Sequence, residues 1–112
     1  MVEVFLGSGI GGIIRYLIGL VSQKFFSQSW PGTLAVNVFG SILIVFLLHR
    51  FELRDQKMTR LIVVGFLGGF TTFSSFSYDI FQSINQGNLN SALIIFSSNI
   101  LLGIVMGILV FR

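Results

Sequence analysis

Four long apolar runs, separated by short polar connectors, fill most of the 112 residues of this chain. They cover residues 4–25, 33–49, 61–81 and 89–111. Each is near the roughly 20 residues that a helix rising about 1.5 Å per residue needs to cross some 30 Å of hydrocarbon. The pattern predicts an all-α integral membrane protein, a single four-helix transmembrane domain over residues 1–112. Composition leads to the same place: 54% of the residues are hydrophobic and 10% charged, against about 25% charged in an ordinary soluble domain. A core this small cannot hide so much apolar surface from water. With no cysteine, a disulfide framework, a zinc-thiolate site and a cysteine nucleophile are all excluded. A lone histidine, His49, supplies little for metal or triad chemistry, so no enzyme is expected. The net charge of +3 comes from too few basic residues for a phosphate-tracking surface, which argues against nucleic acid as a partner.

The connectors carry turn and orientation signals. Trp30 and the only proline, Pro31, suit an interfacial turn that opens the second helix. The run NQGN around Gly87 reads as a tight polar turn. A cleaved signal peptide is not expected, because Glu3 stands where a basic region should be. Arg50, Arg54, Lys57, Arg60 and Arg112 belong to the side that holds both termini and the second connector; the other side has Lys24 alone. The positive-inside rule then predicts a multi-pass protein of the plasma membrane with both termini in the cytoplasm.

Several residues inside the spans are unusual. Gly7 with Gly11, Gly65 with Gly69 and Gly103 with Gly107 form small-x-x-x-small pairs, which let helix backbones approach where water cannot drive association. Arg15 lies within the first span, where an unpaired charge costs roughly 2.5 to 3.5 kcal/mol; it either snorkels to an interface or lines an anion-attracting vestibule. Asn37, in the second span, either bridges helices or donates to a passing anion. The stretch GFLGGFTTFSSFSYD builds a membrane helix poorly, since glycine costs about 1 kcal/mol against alanine and hydroxyls compete for the backbone. A break near Gly68–Thr72 is therefore expected. Backbone freed at that depth is tolerated only where it is buried in protein or lines a cavity, and its carbonyls are hard ligands for a small cation. Beyond it, Phe73 and Phe76 share a helix face with Ser74, Ser75 and Ser77 between and beside them. Aromatic pairs at this spacing are usually core; here their electropositive ring edges and the hydroxyls could replace the water shell of a small anion.

At these residues the chain resembles the Fluc fluoride channels, the CrcB family. The matching stretches are GSGIGGIIRY, PGTLAVNVFGS and GFLGGFTTFSSFS. The resemblance implies an antiparallel dimer of four-helix subunits with two fluoride pores lined by both chains. It makes Phe73 and Phe76 the residues whose ring edges contact fluoride, Asn37 the pore amide and Arg15 the vestibule arginine. It also assigns Ser74 and Ser75 to a polar track, and Gly68 and Thr71 to backbone carbonyls that hold a structural, untransported sodium ion. In the fourth helix the family commonly offers a tyrosine and a serine; this chain reads IIFSSNILLG, and matching by the small residue Gly103 sets Asn99 at the serine position.

The expected activity is passive, fluoride-specific conduction out of the cytoplasm, which lowers fluoride toxicity. A small proton-coupled drug exporter has the same length, yet needs a membrane-embedded carboxylate in the first helix. The acids Glu3, Glu52, Asp55 and Asp79 read as end or connector residues. A non-conducting membrane assembly subunit, with the phenylalanines as packing, is the third alternative. The strong basic bias predicts a heterodimer with an oppositely oriented paralogue, with a homodimer as the alternative.

Overall fold

The computed structural model describes all residues from Met1 to Arg112. Four helices are long and apolar enough to cross a membrane: Val2–Phe26, Trp30–Arg50, Gln56–Asn85 and Leu89–Phe111. There is no strand. These spans extend the apolar runs at their polar ends. The largest difference is at the start of the third span, where the Asp55 carboxylate accepts from the Met58 amide at 2.8 Å. That cap begins the helix at Gln56 and draws Lys57 and Arg60 into it.

The connectors are fixed by local chemistry. Ser27 ends the first helix in the left-handed region, at φ 58°. The Ser22 hydroxyl then donates to the Gln28 carbonyl at 2.7 Å and accepts from the Gly32 amide at 3.0 Å, pinning the first connector to the first helix. Pro31 falls in the first turn of the second helix, where its missing N–H leaves no bond unmade. Gly87, at φ 75°, turns the third connector, and Asn88 caps the fourth helix by accepting from the Ser91 amide at 3.1 Å.

The first span lies against the leading half of the third. Here the glycines are required: a Cβ on Gly7 would fall on the Leu61 carbonyl, one on Gly11 on the Phe66 carbonyl, and one on Gly69 on the Ser8 carbonyl. Gly103 and Gly107 differ. A Cβ there would meet the Ser41 hydroxyl and the Val45 side chain at 3.4 and 3.6 Å, close to ordinary van der Waals distance, so this pair does not mark a close backbone contact. Val36, Leu67 and Phe70 form one buried apolar cluster, with Ile18, Leu43, Leu47 and Phe66 around it, and Phe76, Ala92 and Ile95 are buried as well. Most other large apolar side chains, such as Phe5, Ile13 and Leu101, face outward, as suits a surface covered by lipid.

Two contacts gather one end of the bundle. Arg60 and Glu3 approach to 3.6 Å, and the His49 and Phe111 rings stack with centroids 3.8 Å apart. The termini and the second connector therefore lie together.

Candidate functional site

The site is organised by two residues of the third span. Thr71 (φ −84°, ψ 158°) and Thr72 (φ −151°, ψ 118°) are extended, between helical Gly68–Phe70 and the helix Phe73–Asn85. Gly68 and Gly69, the weak helix formers of the sequence, are thus helical, and the extended residues are the threonines. The cause is a set of side chains that compete for backbone amides. In a continuous α-helix the Thr72 amide would bond the Gly68 carbonyl; instead it donates to Asn37 Oδ1 at 2.8 Å. The Ser75 amide would bond the Thr71 carbonyl; instead it donates to the Thr72 hydroxyl at 3.1 Å, an N-cap for the following helix. The carbonyls of Gly68 and Thr71 are released as a result.

Asn37 serves Thr72 on both sides, because its Nδ2 also donates to the Thr72 carbonyl at 3.0 Å. The second Nδ2 proton goes to Asn99 Oδ1, again at 3.0 Å. Asn99 is buried, and its own Nδ2 donates to the Ile95 carbonyl at 2.9 Å. That bond turns the acceptor of Asn99 toward Asn37. Three spans are thereby joined by one pair of amides.

Asn37, Asn99, Thr71, Gly68, Phe73 and Phe76 line one open groove of about 430 Å³. The two rings lie 5.5 Å apart, but unequally: Phe76 is 5% exposed and also neighbours Phe96, whereas Phe73 is 76% exposed. Gly68 is exposed, with open space where a Cβ would be.

A second groove, of about 420 Å³, opens on the other side of Thr72. It holds Arg15, Ser74 and Ser75. Arg15 Nε donates to the Gly69 carbonyl at 2.9 Å, so the side chain is docked on the third span and lines a cavity. The Ser74 hydroxyl meets that of Thr72 at 3.2 Å. The site residues foreseen from sequence therefore fall into two groups, with Thr72 common to both grooves. In the fourth helix Ser98 turns back to its own backbone, bonding the Ile94 carbonyl at 2.6 Å, and Ser97 is exposed.

Thr72 and Asp79 were missed as site residues. For Thr72 the available signal is a hydroxyl three residues before Ser75, a capping spacing. Asp79, near the end of the third span as its position in the sequence implies, is nonetheless buried: it is 6% exposed and accepts from the Ser29 hydroxyl at 3.2 Å. The first connector folds over it and buries it.

Four lipid-facing helices and polar grooves at the depth of extended backbone define a multi-pass membrane protein. Residues 2–111 match the family described as CrcB-like protein, Camphor Resistance (CrcB), and the chain belongs to that family. Among its relatives is a protein of Coxiella burnetii named fluoride-specific ion channel FluC, 39% identical over 92% of this chain and 84% of the relative. Proteins of the same name from Leptospira interrogans and Agrobacterium fabrum are 41% and 43% identical. The former match spans 94% of this chain and 83% of the relative, the latter 77% and 72%.

Proposed function

We propose that this chain is one subunit of a fluoride-specific channel, not an enzyme, and that it lets fluoride leave the cytoplasm passively. The groove that brings Asn37, Asn99, Phe73 and Phe76 together beside Thr72 carries the reading, and the printed names of the relatives support it. Fluoride is small and strongly hydrated, so a narrow pore must supply donors at close range in place of water. The Asn37 amide, the hydroxyls of Ser74 and Ser75 and the electropositive edges of Phe73 and Phe76 supply them without a fixed charge at the constriction. Both Nδ2 protons of Asn37 are engaged in this structure. Fluoride arriving there takes the place of Asn99 Oδ1 as acceptor, and Asn99 gates the amide.

The subunit assembles in this reading as an antiparallel dimer whose third helices cross at their extended residues. Exposed Gly68, with open space beside it, suits such a crossing. The released carbonyls of Gly68 and Thr71 are hard oxygen ligands and fit a structural sodium ion held by both chains. Sodium would fix the crossing and take no part in conduction. Arg15 attracts the anion into the second groove. The five-to-one basic bias supports both termini in the cytoplasm, insertion in a plasma membrane, and an oppositely oriented paralogue as partner, with a homodimer as the alternative. The proton-coupled exporter reading asks for an acid in the first helix, whereas the buried acid, Asp79, is in the third.

The test is fluoride efflux from liposomes, followed with a fluoride electrode, for this chain alone and with any paralogue encoded beside it. Efflux of fluoride but not chloride is expected. No flux from a folded, correctly partnered dimer overturns the reading.

A further inference from the structure

Arg15 and Asp79 line the same groove of about 420 Å³, yet no nitrogen of the arginine comes within ion-pair distance of the carboxylate. Arg15 is held from one side by the Gly69 carbonyl. Asp79 is held from the other by Ser29, which leaves Oδ2 buried and without a hydrogen-bond partner. Near Arg15 the walls carry Ser74, Ser75 and Thr72; toward Asp79 they carry Ser29, Gln23 and Thr33. The last turns of the third span and the first and third connectors border a further, strongly polar cavity of about 310 Å³, which shares Gln23, Ser29 and Asp79 with this groove. Asp79 thus stands where the connector-side cavity meets the Arg15 groove.

Arg15 is half-buried, and a cation so placed with no counter-charge would hold a small anion more tightly than one in bulk water, since charges interact more strongly away from solvent. Tight holding slows release, and throughput needs sites from which the ion can leave. An acid in the same cavity, placed apart from the arginine, weakens that hold without cancelling the attraction at longer range. We propose that Asp79 is a tuning residue for conduction: it offsets the field of Arg15 so that fluoride is drawn into the groove but not retained. The inference rests on the channel reading above.

The experiment is a fluoride concentration series on channels reconstituted in planar bilayers, comparing wild type with Asp79→Asn. The amide keeps the shape and the bond from Ser29 while removing the charge. The expected result is a split: the half-saturating fluoride concentration falls about tenfold, equivalent to about 1.4 kcal/mol, and the saturating current falls as well. Asp79→Glu restores both parameters, and in an Arg15→Gln background Asp79→Asn leaves half-saturation unmoved. Asp79→Ser, also neutral, gives the same split if the asparagine variant does not assemble. An unchanged half-saturation in a conducting neutral variant overturns the inference, as does failure of both neutral variants to assemble. A wild-type dimer that carries no fluoride overturns the channel reading instead, so the two failures are distinguishable.

Discussion

The two halves of the third span meet their surroundings in opposite ways. The leading half is pressed against the first helix through Gly7, Gly11, Gly65 and Gly69, with backbone against backbone and no room for one more carbon. Past Thr72 the trailing half borders two open grooves lined by amides, hydroxyls and aromatic rings. One interface is completed within a single chain; the other is open, and in the proposed channel it receives an ion and a second subunit. The glycines of the first contact serve van der Waals closeness, which is what drives association in lipid. The polar side chains of the second replace helix hydrogen bonds that the backbone has given up.

The contrast can be broken most severely at Gly7. Gly7→Leu drives a side chain into the Leu61 carbonyl and cannot be relieved by rotation, so no folded subunit should survive size-exclusion chromatography in mild detergent. Asn37→Ala comes next. It strips partners from the Thr72 amide and carbonyl and from buried Asn99, each loss costing about 1–3 kcal/mol. Thermal unfolding in detergent should shift down, and fluoride efflux should vanish.

Phe76→Leu keeps most of the buried volume but removes the ring edge. A pore role predicts efflux reduced about tenfold or more, or about 1.4 kcal/mol in the barrier, with the dimer intact by crosslinking. Loss of the dimer at unchanged flux per dimer would instead make Phe76 a packing residue. Gly68→Leu sharpens the comparison differently: nothing in the chain lies near a Cβ there, so the subunit should fold normally. If the third helices cross at this point, mass measurement should find monomers. Ser98→Ala should change little, within about 0.5 kcal/mol, because its hydroxyl bonds only its own helix.

Hydropathy made the four spans legible, because burial in lipid imposes a length and a composition that local sequence must meet. The hydroxyl-rich stretch of the third span was legible too, since its poor helix-forming character is local. Which residues are extended was not. Glycines and hydroxyls together predict a break over residues 68–72, but within it glycine weakness is overruled where a neighbouring helix needs the space, as at Gly69 against Ser8, so only Thr71 and Thr72 are extended. Thr71 and Thr72 are extended because Asn37, 35 residues away in sequence, takes the Thr72 amide. Likewise Asn37 and Asn99 could be singled out separately, while their bond, across 62 residues, is a product of helix arrangement. The burial of Asp79 is not legible for the same reason: Ser29 of the first connector covers it, and no pattern in the third span records that.

The Asn37 side chain engages both backbone groups of Thr72, as the edge of a neighbouring strand would. Two anchored bonds leave Thr72 little freedom to move apart from the second span. A bilayer thinner or thicker than the apolar length of these helices changes their tilt, and a change in tilt of the second span is carried directly into the geometry at Thr72. A change in hydrocarbon thickness should therefore alter the geometry at this site through the Asn37 side chain.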